Sequence, residues 1–392
     1  MKFSRVTVIV LDGVGIGEAP DSADYGDQGS HSLANTARAV GGLSCPHFAS
    51  MGLGCIDPIE GVPCGGDVVG AYGKMTPASP GKDTVTGHWE LMGVPLPAPF
   101  PTYPQGFPKE VIESFEKAIG RRSIGNKVSS GTVILEELGE EHIRTGFPIV
   151  YTSADSVFQI AANESVIPLE ELHAICEKAR ALLVGEHGVG RVIARPFVGD
   201  RKGGFTRTSG RRDYPRNPPE RTVMQALVEA GHSVCTVGKI DDIFAHQGIT
   251  RSNHTPDNAT SFEATLEFLK THFSGLLFTN LIECDMIYGH RNDPKGYAGA
   301  IETIDKGLPR LMELMSEKDL LIFTADHGVD PTTPGTDHSR EYVPLLAWTP
   351  GMKHGVDLGV RATLSDVAAT LAENFGLEGR FHGTSFLSEV VS

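Results

Sequence analysis

Two strongly apolar runs far apart in the chain each end on charge: VTVIVLDG, from Val6, stops at Asp12, and LLIFTADHG stops at Asp326–His327. A charged group beside a hydrophobic core is costly unless it is paired or bound to metal. Between these runs stand Asp285 and His290, in NLIECDMIYGH, and beyond them His338, in GTDHSRE. Thr84, in GKDTVTGHWE, adds a hydroxyl. Taken singly, each has an ordinary explanation: Asp12 suits a helix N-cap, and His290 or His338 suits a satisfied surface imidazole. Asp326–His327 resists that treatment, because two charged neighbours follow a wholly apolar strand. Only the full set is specific.

Three carboxylates, three imidazoles and a hydroxyl exceed what one tetrahedral ion takes and suit a pair of divalent ions. Carboxylate-rich ligation admits Mn²⁺ or Mg²⁺, and the imidazoles also admit Zn²⁺. Two ions about 3.5–4 Å apart clamp the attacking and leaving oxygens of a phosphoryl transfer. A hydroxyl between them loses its proton readily and becomes a nucleophile. On residue type alone, Thr84 and Thr86 both fit that hydroxyl.

The 392 residues exceed the usual single-domain size, with 40% hydrophobic and 21% charged residues, as expected of a soluble globular protein. No stretch approaches the roughly 18–20 apolar residues of a membrane span. The opening MKFSRVTVIVLDG reads as a first core strand, not a signal peptide. The six cysteines contain no CxxC pair, so reduced thiols and a cytoplasmic location are expected. A formal net charge of −15 excludes a nucleic-acid footprint. Residues 191–221 are the local exception, with nine Arg or Lys against three acids, which suits a small anion such as phosphate. Most of these arginines are expected to be solvated loop charges.

In the last 170 or so residues, helical patterns at Glu220–Ala230, Asn258–Phe273, Tyr297–Met315 and Leu364–Phe375 alternate with HSVCTVG, LLFTNL and DLLIFTADHG. Such alternation predicts an α/β fold with a mostly parallel sheet sandwiched by helices. Functional side chains then collect past the carboxyl ends of the strands, where Asp12, Asp285 and Asp326 should meet. Residues 94–108 carry six prolines, and residues 213–219, DYPRNPP, are proline-rich as well. They bracket helices near Glu110–Ile119, Val133–Glu141 and Leu169–Val184 and the strands PIVYTSA and GRVIARPFV. The expected organisation is a core of residues 1–100 and 218–392 with a smaller α/β cap at 101–217, joined by two linkers acting as a hinge.

The motifs VIVLDGVGIGEAPD, GKDTVTGHWELMG, YTSADSVFQIA, VGKIDDIFAHQGIT and TADHGVDPTTPGTDHSREYVPLL closely resemble the bacterial phosphopentomutase family of the alkaline phosphatase superfamily. The likeness spans essentially the whole chain, with no departure at any metal position. It implies an alkaline-phosphatase-like core, an inserted cap and two Mn²⁺ per chain. Asp12, Thr84, Asp326 and His327 would surround one ion, and Asp285, His290 and His338 the other. It also implies that Thr84, not Thr86, is the phosphorylated nucleophile. Ser153, Asp155, Arg195, Arg207 and Lys239 would contact ribose and phosphate. The implied activity interconverts ribose 1-phosphate and ribose 5-phosphate, and the 2-deoxy sugars, through a 1,5-bisphosphate. A sugar 1,6- or 1,5-bisphosphate would serve as primer, with the cap excluding water.

The partners expected are pentose phosphates alone, without nucleic acid, membrane or an obligate protein. Three alternatives compete. A phosphatase or phosphodiesterase would share the metal pair, and a cofactor-independent phosphoglycerate mutase would share the core but use a serine. A non-catalytic binding protein would lack a ligand or the nucleophile, and neither is missing.

Overall fold

The structure, a computed structural model, describes residues 1–153 and 155–391. The chain divides into two compact units, Met1–Pro99 with Pro218–Ser392, and Phe100–Asn217. The larger unit is built on an eight-stranded sheet. Its centre is Arg5–Leu11, fully buried and flanked in parallel by Gly275–Leu281 and Asp319–Thr324. Ser233–Val237 and Arg251–Asn253 extend the sheet in parallel on one side. On the other side Val343–Trp348 runs antiparallel between Asp319–Thr324 and Ala71–Met75, and Val356–Arg361 closes that edge. The three central strands are apolar on both faces because helices cover both, which is why they read as unbroken hydrophobic runs. Arg5, Asp319 and Asn280 are exceptions, and the buried Arg5 guanidinium meets Asp319 at 2.7 Å.

Helices appear where the periodic patterns lie, within a few residues: Val223–Glu229, Asn258–Leu269, Pro294–Met312 and Asp366–Phe375. Thr222 opens the first with a capping box to Gln225. Asp293 and Pro294 open the third, as the first-turn preference for proline requires.

The smaller unit holds a six-stranded sheet. Lys109–Ile119 and Leu169–Leu182 cover one face, over Val150, Phe158 and Ile160, while Gly131–Thr145 covers the other, over Ile149 and Tyr151. Adjacent residues of Ile149–Thr152 thus serve opposite faces, as strand geometry dictates. The second proline-rich segment is not wholly a linker: Arg212–Pro215 pairs with Arg191–Ala194. Pro215 is accommodated because its strand lies off the main path of the sheet, where a missing N–H does little harm.

One expectation is overturned. Cys55 and Cys64 are disulfide-bonded, while Cys45, Cys176, Cys235 and Cys284 are free and buried. The chain turns back through an Ile59–Val62 bridge, which brings the two Cα atoms to 4.5 Å. Neither spacing nor composition announces that turn.

Glu341 organises the loops above the sheet. Its carboxylate accepts from Ser32 N–H at 2.8 Å, Ser32 Oγ at 2.7 Å, Ser339 Oγ at 2.6 Å and Gly17 N–H at 3.3 Å. A Cβ on Gly15 would lie 2.2 Å from Glu341 Oε2, so only glycine leaves room for this carboxylate. Burial pushes its carboxyl up from 4.5 to about 7, outweighing the hydrogen bonds from Ser339 and Ser32.

Two predictions follow from these contacts. Denatured, unreduced protein should titrate four thiols and reduced protein six; closing a loop of this length stabilises by about 2–3 kcal/mol, so Cys55→Ser should melt earlier. A raised carboxyl contributes stability below about 4.5 and loses it as pH rises towards 7. The stability of the native chain relative to Glu341→Gln should therefore fall across that window by about 1 kcal/mol per pH unit; a flat difference in denaturant midpoints would contradict it.

Candidate metal centre

The carboxyl ends of the three central strands deliver the acids to one place. Asp12 and Asp326 directly follow Arg5–Leu11 and Asp319–Thr324–Ala325, and both are buried. Asp285 lies beyond Gly275–Leu281 in a one-turn π-helical segment, Cys284–Tyr288, and His290 in the short 3₁₀ turn Gly289–Arg291 that follows. Wide turns of the π type recur at functional sites because they re-aim side chains that a regular helix would turn away. His338 comes from the loop before Val343–Trp348.

Two groups of ligand atoms form, each within 4.8 Å: Asp12, Asp326 and His327, and Asp285, His327 and His338. His327 is thus common to both, a sharing that the four-and-three partition did not contain. His290 reaches the second group through Nε2, 3.3 Å from Asp285 Oδ1. Thr84 Oγ1 sits 3.2 Å from His327 Nε2. Thr86 is turned elsewhere: its hydroxyl and N–H both donate to Asp83, the N-cap of the helix Thr84–Leu91. Geometry therefore separates two threonines that residue type could not.

The donor set fits cations. His327 Nδ1 faces Gly328 O at 3.0 Å and His290 Nδ1 faces Thr336 O at 2.6 Å. A carbonyl only accepts, so each Nδ1 carries the proton and each Nε2 lone pair of a neutral ring points inward, the usual arrangement of a metal-binding histidine. Those lone pairs meet carboxylates: His327 Nε2 is 3.5 Å from Asp12 Oδ1 and 3.4 Å from Asp326 Oδ2, and His338 Nε2 is 3.1 Å from Asp285 Oδ1. Among the described residues, Asp12 Oδ1, Asp285 Oδ1, Asp326 Oδ2 and His338 Nε2 have no hydrogen-bond partner although buried. Two ligands of one ion at about 2.0–2.2 Å stand roughly this far apart.

Protons are the only other way to reconcile these groups, and the electrostatics show the strain. Burial raises the Asp12 carboxyl, and the charge of Asp326 raises it further. Burial also works against ionised Asp285, yet hydrogen bonding to His290 and His338 leaves its carboxyl well below the usual range. In return Asp285 lifts the His290 imidazole to about 9. A divalent ion would displace such protons and satisfy every acceptor at once.

Two residues of this centre were missed by sequence reasoning, His88 and Asn280. Asn280 Nδ2 donates to Asp12 Oδ2 at 2.8 Å and lies 3.0 Å from His88 Nε2. His88 Nδ1 is 2.9 Å from Thr84 O and 3.1 Å from Asp326 Oδ2. The histidine of TGHWE and the asparagine inside LLFTNL were the available signals, since both put a polar side chain in an apolar setting.

Arg340 ties the His338 loop to the approach of Thr84. Its guanidinium donates to Asp21 and to the carbonyls of Pro77, Ser79 and Gly81. With donors this fully used, the planar fork sets the path of residues 77–81.

The sugar and phosphate residues expected from the sequence divide between the units. In the larger unit, Lys239 Nζ donates to Met286 Sδ at 3.5 Å, beside Asp285. Ser153, Asp155, Arg195 and Arg207 lie in the smaller unit. There Asp155 N–H donates to Ser153 Oγ at 3.3 Å. Arg195 donates to Gln159 and, with Arg207 and Arg211, opposes the upward shift that burial gives the Tyr151 phenol. Among the other basic residues, Arg191 and Arg211 pair with Asp213, and Arg221 with Glu229. Among the described residues no helix is long and apolar enough to cross a membrane.

The sequence profile of the Metalloenzyme superfamily matches residues 4–379. A curated phosphopentomutase of Herpetosiphon aurantiacus is 64% identical over 390 residues, covering 100% of both chains. That of Carboxydothermus hydrogenoformans is 58% identical, covering 99% of this chain and 100% of the relative. Among solved structures, a Leishmania mexicana phosphoglycerate mutase is 13% identical with a TM-score of 0.50, covering 98% of each chain, a likeness of fold alone. Full-length identity of this order, on a chain whose acids converge as a metal centre requires, makes it an isomerase of the phosphopentomutase family, within the metalloenzyme superfamily.

Proposed function

We propose that the chain interconverts the 1- and 5-phosphates of ribose and of 2-deoxyribose, with Thr84 as the residue that carries the phosphoryl group. The observation that supports this most is the place of Thr84 Oγ1, at the first turn of a helix and 3.2 Å from His327 Nε2 amid unpaired carboxylate oxygens. A helix N-terminus favours an anion, so a phosphorylated Thr84 is stabilised where it forms.

Asp12, Thr84, Asp326 and His327 on one side, and Asp285, His290 and His338 on the other, are the residues to hold two divalent ions, Mn²⁺ in this reading. Bound there, such ions supply charge neutralisation at the transferring phosphoryl group and a lowered hydroxyl pKa. The chain's own residues do the rest. Phosphorylated Thr84 gives its phosphoryl group to the free hydroxyl of a bound pentose phosphate; the Thr84 oxygen leaves and regains a proton, and a 1,5-bisphosphate results. After the bisphosphate turns over, Thr84 Oγ1 takes the other phosphoryl group, and the isomeric monophosphate departs. Lys239, Arg195 and Arg207 bind the phosphate that is not being transferred, the arginines by bidentate contact. Ser153 and Asp155 bond the sugar hydroxyls. A sugar 1,6- or 1,5-bisphosphate primes the first turnover.

With Mn²⁺, ribose 5-phosphate and a bisphosphate primer, phosphorus NMR should show ribose 1-phosphate; inorganic phosphate as the main product would make the chain a phosphatase. Thr84→Ala should lower mutase activity by on the order of 10⁴-fold or more, lose any phosphate seen in intact mass, and keep its metal content. Asp155→Ala should lower kcat/KM for the sugar by about 10- to 100-fold and leave Mn²⁺ affinity nearly unchanged; equal losses of both would make Asp155 structural.

A further inference from the structure

His88 and Asn280 have no part in the chemistry above, yet both are buried at the point where the Thr84 helix meets the carboxylates. We propose that they are a positioning pair: Asn280 holds the His88 ring in the tautomer protonated at Nδ1, and that N–H holds the main chain of Thr84 at the distance from Asp12 and Asp326 that phosphoryl transfer needs. The inference rests on the reading of Thr84 as nucleophile.

The hydrogen-bond logic is closed. Asp12 Oδ2 lies 2.8 Å from the Asn280 amide and, as a carboxylate, accepts, so the amide presents its NH₂ group and not its oxygen. The second amide hydrogen then faces His88 Nε2 at 3.0 Å, which must offer a lone pair. The ring proton is left on Nδ1, 2.9 Å from the Thr84 carbonyl. His88 also stands 3.1 Å from Asp326 Oδ2. One imidazole thus spans the strand-end acids and the first residue of the nucleophile helix.

The helix has no room to settle elsewhere. A Cβ on Gly87 would lie 2.1 Å from Asp326 O, so the residue before His88 is pressed against the backbone of the acid itself. Asn280 is held in register by its strand, where it pairs with Val10 two residues before Asp12. The centroid of the Phe278 ring is 5.8 Å from that of His88 and flanks it. Asn280 therefore belongs to the sheet, whereas His88 lies on the same helix as Thr84 and carries the register of the sheet to it.

Asn280→Asp preserves shape but replaces a donor with an acceptor towards both His88 Nε2 and Asp12 Oδ2, so Nε2 takes a proton and the neutral ring no longer has to carry its proton at Nδ1. In protein loaded with diamagnetic Mg²⁺ and labelled with ¹⁵N at the histidine rings, the His88 signals, assigned by their loss in His88→Gln or their shift in Asn280→Asp, should report the Nδ1–H tautomer. Asn280→Asp should move the proton to Nε2 and lower kcat about 10- to 100-fold, as a displacement of about 1 Å would, with KM changed less than about threefold. A native ring protonated at Nε2, or at both nitrogens, overturns the proposal. So does an Asn280→Asp variant with native kcat, or one in which kcat, KM and melting temperature fall together. Failure of the underlying reading is separate: an active Thr84→Ala removes the nucleophile whatever tautomer His88 shows.

Discussion

Asp12 and Asp326 are carboxylates at the ends of adjacent central strands, and both are buried. Two like charges in that position destabilise the fold unless positive charge comes from somewhere, and the loop histidines converge for that reason. The rest of the larger unit serves this constraint. Glu341 and Arg340 draw in the loops that carry His327 and His338, and Arg340 also grips the carbonyls that lead to Thr84. The helix of Thr84 closes the arrangement by resting on the backbone of Asp326.

The site therefore combines a rigid floor with an adjustable wall. Strands place Asp12, Asp326 and Asn280 with the precision of a hydrogen-bonded ladder. His290 and His338 come from turns, where the backbone is free to aim a ring by a carbonyl such as Thr336 O. Phosphoryl transfer asks for that division, because charge stabilisation works best when the groups providing it are already in place.

Much of the fold and the centre was legible in the sequence. The parallel strands around Arg5–Leu11 announce themselves as apolar runs because both faces are covered, and the acids past their ends follow from strand direction. The strand Ala71–Met75 and the edge strand Val356–Arg361 did not, since a strand that is only partly buried carries no such run. Val157–Asn163 escaped as well, although it is buried throughout, because VFQIAAN has no period that separates strand from helix. The Cys55–Cys64 bond was illegible because a short turn, not a spacing rule, brings its ends together.

The sequence alone determined which residue types this protein can bring to a reaction, since acids and imidazoles at the ends of buried strands have few uses. Tertiary structure decided which atoms meet. Whether Thr84 or Thr86 faces the imidazoles depends on the hydroxyl bond of Thr86 to Asp83, a matter of side-chain direction around one helix turn. His327 belongs to both ligand groups, and His88 reads the position of Asn280 from 192 residues away. Periodicity is a local property of the chain, whereas a hydrogen bond between distant residues exists only once the sheet and the helix have packed.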